Sequence, residues 1–335
     1  MNILALETSC DETAFALIQG QKEQFKIKQH FVASQIKTHA QYGGVVPEVA
    51  AREHVETLFP LLQKLDIQRD GTGIDVIAVT AGPGLIPALR IGVACATTLA
   101  HTWKKPLVAV NHLEGHLYSC WVTDPKPLFP ALALLVSGGH TELIWMKNHG
   151  EYKLIGTTRD DAAGEAFDKV AKQLGLGYPG GPIVSTFALN GKKDAISFPR
   201  PMLESGDSDF SFSGLKTAVF YYLKEHPQTN VADVCASFQE AVIDTLVTKT
   251  LQVIKTKKPK SVLLAGGVSA NQALRDCLGK NLAIKYPDVT YHVPPLEYTT
   301  DNAVMIAIAG YYRAQKSDFA NPLTLKANPN LRLLS

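Results

Sequence analysis

The 335-residue chain has only five cysteines (Cys10, Cys95, Cys120, Cys235 and Cys277), and no two of them form a CxxC pair. An odd, scattered set supplies neither a disulfide framework nor a structural zinc knuckle, and it suits a reducing compartment. Apolar residues make up 46%, yet no uncharged apolar run approaches the ~20 residues that span a bilayer, so no membrane segment is expected. Charged residues are sparse at 19%, with a net charge of +2 and a pI near 8.2. That balance excludes a disordered chain and permits a nucleic-acid partner without demanding one. The opening MNILALETS runs directly into a strand pattern, with no basic leader or Arg-rich transit segment, so the cytoplasm is the expected location. The length allows one large domain or two of ordinary size.

What is present centres on Asn111-His112-Leu113-Glu114-Gly115-His116, which follows the apolar run Pro106 to Val110. If His112 to Trp121 form a helix, His112 and His116 share one face, four residues apart. Two imidazoles so spaced can reach one divalent ion, with Glu114 pointing elsewhere and a third ligand coming from distant sequence. A surface helix that happens to carry two histidines is the alternative.

Other stretches carry paired readings of the same kind. Ile3 to Leu6, the polar turn Glu7 to Thr13 and Ala14 to Ile18 read as a hairpin, whose turn offers amides and hydroxyls to an anion or carboxylates to a metal. It could equally be a plain hairpin built from turn-forming residues. Gln35 to Gly44 reads as a loop and Pro47 to Leu65 as a helix, with His39 and His54 expected not to be ligands. Ala81 to Leu85 is glycine-rich but not a Walker sequence, and close helix packing explains it as well as a ligand does. Three prolines in Asp124 to Pro130 mark a linker. Beyond it, strand, turn and strand recur, LALLVSGGHTELIW against LALETSCDETAFAL, which points to an internal duplication. Thr157 to Leu174 reads as a helix containing Asp168, and Gly175 to Pro182 as a rigid loop. Lys255, Lys257, Lys258 and Lys260 end a long helix, where they could touch phosphates or complement its dipole. Gly266 to Asn271 could hold a nucleotide or simply cap the next helix. Asp301 is placed to cap the last major helix, Ala303 to Ala314, and is the natural third metal ligand. The tail from Ser317 is expected to have little structure.

Taken together, LALETSCDETA, AGPGL, NHLEGH, LLVSGGHTEL, GEAFDKVAK, GYPGGP, FSFSGLKTA, LLAGGVSANQALR and TTDNAVMIA resemble the TsaD family, the bacterial tRNA threonylcarbamoyladenosine transferases. The resemblance runs nearly end to end. It implies a duplicated α/β fold of the actin/Hsp70/sugar-kinase type, two lobes with a central cleft. The first lobe would be residues 1–128, completed by about 310–335, and the second 129–309. It also implies metal ligands at His112, His116 and Asp301 that converge across the cleft. Substrate contacts would fall on Leu135, Val136, Ser137, Gly138, Gly139, Asp168, Gly181 and Asn271. Thr299 departs from the family, which often has Cys there, and Pro87 and Arg90 vary a segment read as packing.

The implied reaction moves a threonylcarbamoyl group from threonylcarbamoyl-AMP to N6 of adenosine 37, beside the anticodon, in tRNAs that read codons beginning with A. One divalent ion per subunit is implied, iron(II) with zinc as the alternative, and Glu12 or Asp11 is the candidate general base. A smaller TsaB-like paralogue and a TsaE-like ATPase are the implied partners. An actin-fold kinase would need a catalytic Asp and carboxylate-held Mg²⁺, whereas paired histidines favour a softer ion. HLEGH is not HExxH, so its glutamate is misplaced for a metallopeptidase base. A scaffold that has lost its site would not keep the ligand set.

Overall fold

The computed structural model describes residues 1–333 and divides into two compact units. The first runs β1 (Asn2–Glu7), β2 (Glu12–Gln21), β3 (Gln24–Ser34), α1 (Ile36–Ala40), α2 (Pro47–Lys64), β4 (Val76–Gly82), α3 (Ile86–Trp103), β5 (Leu107–Asn111) and α4 (His112–Tyr118). The second runs β6 (Ala131–Val136), β7 (Thr141–Asn148), β8 (Glu151–Thr157), α5 (Ala163–Gln173), α6 (Gly180–Ala188), α7 (Ser213–Glu225), α8 (Val231–Lys257), β9 (Ser261–Ala265), α9 (Gln272–Lys285) and β10 (Thr290–His292). The chain then returns to the first unit with α10 (Ala303–Gln315).

The two sheets share one plan. In the first, the order is β3-β2-β1-β4-β5; in the second, it is β8-β7-β6-β9-β10. Each begins with an antiparallel hairpin, Ala5 opposite Ala16 and Leu134 opposite Leu143, and continues with parallel neighbours. The internal duplication is therefore real at the level of topology. β1, β4, β6 and β9 are buried nearly throughout. Strands covered on both faces need apolar side chains on both, which is why NILALE, VIAVTAG, ALALLV and SVLLA read as continuous apolar runs. Helices cover these faces: Leu58, Leu61 and Val93 pack on Leu4, Leu6 and Ile77 in the first unit. In the second, Phe167, Phe238, Leu246 and Leu274 close over Leu132, Leu134 and Leu264.

β3 and β8 have no counterpart in the sequence reading. QFKIKQHFVAS and EYKLIGT are half-exposed edge strands, and their lysines suppress an apolar signal while guarding the open edge. Gln35 to Gly44 is not all loop, because Ile36–Ala40 closes a helical turn over the buried His39. Gly180 and Gly181, expected in a loop, open α6 instead.

The chain leaves the first unit between Lys126 and Pro127, within the proline-rich segment, and re-enters it at Pro294, earlier than the expected 310. The cause is α10. A Cβ on Gly310 would lie 2.7 Å from that of Ala78, and one on Gly115 would lie 2.7 Å from Ile306 Cδ1. Glycine at those two positions lets α10 sit directly on β4 and α4, and so draws the preceding turn into the first unit. The tail is irregular but anchored: Ala320 N donates to Leu107 O at 2.8 Å and Asn328 N to Ala81 O at 2.8 Å.

Candidate metal centre and anion-binding turn

Asn111 starts α4 by accepting from the backbone N–H groups of Leu113 and Glu114 at 2.9 and 3.4 Å, while its amide donates to Leu331 O at 3.2 Å. With the helix start fixed, His112 and His116 stack one turn apart, ring centroids 4.6 Å from each other. Glu114 does point elsewhere, to Arg313 Nε. At the far side, Asn302 and not Asp301 caps α10, its side chain accepting from Met305 N at 3.0 Å. That corrects the expected cap and frees the Asp301 carboxylate. Asp301 Oδ1 lies 3.5 Å from His112 Nε2 and 3.2 Å from His116 Nε2, and the three donor atoms are all within 4.8 Å of one another. All three residues belong to the first unit, so the expected convergence of lobes is corrected too.

His116 is 1% exposed, and neither ring nitrogen has a hydrogen-bond partner, although Asp301 Oδ1 comes within 3.2 Å of Nε2. A buried polar atom left so is costly unless something else meets it. Two imidazole nitrogens and one carboxylate oxygen at this spacing match the donor set that zinc or iron(II) takes, with ligand distances of about 2.0–2.2 Å. The residues therefore fit a divalent ion. Without one, the site is an ion pair. Burial would raise the Asp301 carboxyl, but His112 and His116 outweigh it and hold it at about 2. Burial would lower His112, but Asp301 and Glu7 raise it to about 9.

The surrounding groups come from the first hairpin, whose turn the sequence suggested could offer carboxylates to a metal, and from Thr80 of β4, which the sequence did not single out. Glu7 is fully buried; its Oε1 accepts from Ser9 N at 2.5 Å, and its Oε2 from Thr80 Oγ1 at 2.6 Å. His112 Nδ1 lies 3.1 Å from both Glu7 Oε2 and Ser9 Oγ. The available signal was positional: Glu7 and Thr80 sit near the carboxyl ends of neighbouring parallel strands, where such folds build sites. Asp11 and Glu12 are both 8% exposed. Burial pushes the Glu12 carboxyl well up, aided by Asp301 and Asp11, while Ser34 Oγ donates to it at 3.1 Å. His39 and His54 lie outside the ligand set as expected. His54 Nε2 is 3.0 Å from Cys10 O and its Nδ1 2.7 Å from Thr13 Oγ1, so it props the turn that carries Asp11 and Glu12.

The corresponding turn of the second unit has different chemistry. Ser137 N donates to His140 O at 2.8 Å and His140 N to Ser137 Oγ at 3.1 Å, which closes the loop. A Cβ on Gly138 or Gly139 would meet nothing within 4 Å, whereas one on Gly164 would lie 2.6 Å from Ser137 O. The turn is thus open outward and backed by the start of α5. Asp168 Oδ1 accepts from Gly180 N at 2.7 Å, which pins the start of α6, and Gly181 beside it has open space where a Cβ would stand. Leu135 and Val136 are wholly buried, so their side chains belong to the core and only their backbone borders the turn. Asn271 spends its amide internally, donating to Ser185 Oγ at 2.9 Å and Gln239 Oε1 at 2.8 Å and accepting from Leu274 N at 3.0 Å. Gly266, at φ 87°, brings the next turn within 2.4 Å (as a Cβ) of Val136 O. The second group of candidate residues is therefore gathered at the carboxyl ends of β6 and β9.

The family described as TsaD, tRNA N6-adenosine threonylcarbamoyltransferase, matches residues 26–308. Proteins of that name from Desulfitobacterium hafniense, Kosmotoga olearia and Moorella thermoacetica are 50%, 48% and 48% identical to this chain. Those alignments cover 99%, 100% and 99% of it and 98%, 100% and 97% of the relatives. Among solved structures, HypF from T. kodakarensis superposes with a TM-score of 0.62 at 13% identity over 93% of this chain. A second HypF structure, in a phosphate- and nucleotide-bound form, gives 0.58 at 13% identity over 94%. The chain spans about half the length of those HypF chains, 48% and 46%, and the likeness speaks for the duplicated α/β fold.

Proposed function

Because the chain belongs to the tRNA N6-adenosine threonylcarbamoyltransferase family, we propose that it carries out that transfer from threonylcarbamoyl-AMP to N6 of adenosine 37 in tRNAs reading codons that begin with A. The observation that carries the reading is the compact His112, His116 and Asp301 set around a buried, unsatisfied imidazole. No helix among the described residues is long and apolar enough to cross a membrane, and we place the reaction in the cytoplasm.

The donor is a mixed anhydride and is already activated, so the protein's main task is alignment. N6 attacks the carbamoyl carbon, a C–N bond forms, the C–O bond to phosphate breaks, and AMP leaves. The proton lost by the amine goes to a carboxylate, for which Glu12 is the first candidate and Asp11 the second. Burial, with Asp301 and Asp11 beside it, raises the Glu12 carboxyl well above its usual value, which makes it a stronger proton acceptor when ionised. Main-chain N–H groups of Gly138 and Gly139 suit the phosphate, since an anion can approach that open turn. Asp168, Gly181 and Asn271 border the same turn's surroundings and would hold ribose and base, with Asn271 exchanging one internal bond for one to the ligand. A divalent ion, iron(II) or zinc, held by His112, His116 and Asp301 would supply a Lewis acid for an oxygen of the substrate.

A TsaB-like paralogue and a TsaE-like ATPase are the proposed helpers. α2 turns Ala50 inward but exposes Val55 (58%) and Phe59 (64%), an apolar face suited to the paralogue. The test supplies tRNA, threonylcarbamoyl-AMP, ATP and the helper proteins, then measures modified nucleosides by mass and bound metal by elemental analysis. His112→Ala with His116→Ala should remove the metal and lower transfer by on the order of a hundredfold or more. Full transfer by a metal-free double variant would end this reading.

A further inference from the structure

We propose that Glu7 is the positioning residue of the metal centre, holding His112 in the tautomer whose Nε2 lone pair faces Asp301, and that metal affinity depends on it. The inference rests on the metal-site reading above and extends it to the first strand.

Glu7 ends β1 with no exposed surface. A carboxylate so buried must be surrounded by donors. It has three: the Ser9 amide at Oε1, and the Thr80 hydroxyl and His112 Nδ1 at Oε2. The Ser9 backbone N–H can only donate. Thr80 is itself buried and lies closer, at 2.6 Å. His112 Nδ1 therefore meets an oxygen that has no proton to give, and its own proton stays there. With Nδ1 carrying the hydrogen, the Nε2 side of the ring is left for coordination. Ser9 adds a second contact, with its hydroxyl 3.1 Å from the same Nδ1. One turn, Glu7 to Ser9, thus sets the orientation of His112, although it contributes no ligand itself.

The alternative is that Glu7 merely ties β1 to β4. The isosteric change Glu7→Gln separates the two. Shape and packing are kept, but the amide has one acceptor end and one donor end. With its NH₂ towards Oε1's place, it opposes the Ser9 amide. With its NH₂ towards Oε2's place, it donates to Thr80 Oγ1, which can turn to accept, and turns His112 Nδ1 into an acceptor, which moves the ring proton to Nε2. The Ser9 backbone N–H can only donate, which favours the second orientation, so coordination suffers more than folding.

The experiment uses the full chain and titrates Zn²⁺, and Fe²⁺ without oxygen, against a competing chelator. It compares wild type, Glu7→Gln and Ser9→Ala, with thermal unfolding followed in parallel. Glu7→Gln should bind roughly 10- to 100-fold more weakly, and Ser9→Ala should lose less. Nitrogen NMR of histidine in the zinc-loaded wild type should show His112 bound through Nε2 with hydrogen on Nδ1. Wild type that binds no ion would defeat the metal-site reading itself. Wild type that binds while folded Glu7→Gln binds equally well overturns only the role of Glu7. If Glu7→Gln does not fold, the NMR assignment decides: coordination through Nδ1 of His112 overturns the proposal, and through Nε2 supports it.

Discussion

The hairpin turns Glu7–Glu12 and Val136–Thr141 occupy the same place in two sheets of identical order, and they have become chemical opposites. The first is closed and acidic. Glu7, Asp11 and Glu12 are buried there, and the excess negative charge is answered by imidazoles from α4. The second is open and neutral: two glycines face empty space. Its neighbouring acids are already occupied. Asp160 accepts from the amides of Phe212 and Ser213 at 2.8 and 3.2 Å, and Asp161 sits between Lys169 and Lys216 at 2.7 Å each. Duplication supplied a scaffold that places a turn at the carboxyl end of a central strand. Which charge the turn tolerates was then decided by a few side chains, giving one turn suited to a cation and another suited to an anion.

Each turn is also braced by a glycine of a following helix, and the two braces should fail unequally. At Gly164 a Cβ would meet backbone, Ser137 O at 2.6 Å and Gly138 Cα at 2.9 Å, which cannot swing aside. Gly164→Ala should destabilise the second unit by about 1–3 kcal/mol and weaken donor binding, read by denaturant unfolding and by KM for the adenylate. At Gly92 the obstacle is the Thr8 hydroxyl at 2.3 Å, a side chain that can rotate by giving up its bond to Ala88 O. Gly92→Ala should therefore cost about 1 kcal/mol, the worth of that bond. An equal loss at both positions would mean that the turns are not braced as described.

The acids around the second turn allow a pH test. Burial opposes ionisation of Asp161, but Lys169 and Lys216 prevail and hold its carboxyl below the usual value of 3.8. A depressed folded-state value means stability that is present above pH 3.8 and lost as pH falls through the folded value. Asp161→Asn should remove about 1 kcal/mol at pH 7, since Lys169 is partly exposed and its share is screened. The difference from wild type should shrink below pH 3.8. A gap that stayed constant down to pH 2 would show that the carboxylate charge is not what matters.

How far the sequence discloses this arrangement depends on the range of the interaction. The histidine pair is legible because one helix turn determines the spacing, and Asp301 because it lies just before the helix packed on α4. The parallel strands are legible as apolar runs, and the antiparallel edge strands β3 and β8 are not, because their lysines answer to solvent. The particular contacts of Glu7 and Ser9 with His112, and of Glu7 with Thr80, are illegible for a different reason, although their turn reads as one that could serve a metal. Their partners lie 73 to 105 positions away, across a register that no local pattern encodes. Leu135 and Val136 bury their side chains at this strand end, so any part they take at the turn is through their backbone.

The smallest effect on stability, and the sharpest on assignment, belongs to Gly138→Ala. Its backbone is not in the left-handed region, and the added methyl would touch nothing within 4 Å, so unfolding should change by less than about 0.5 kcal/mol. If the phosphate of the donor lies against this turn, the methyl stands where the ligand must approach. KM for the adenylate should then rise while kcat and metal content hold, because the first turn is untouched. An unchanged KM would separate the open turn from the donor and leave the two hairpins different in chemistry without a matching division of labour.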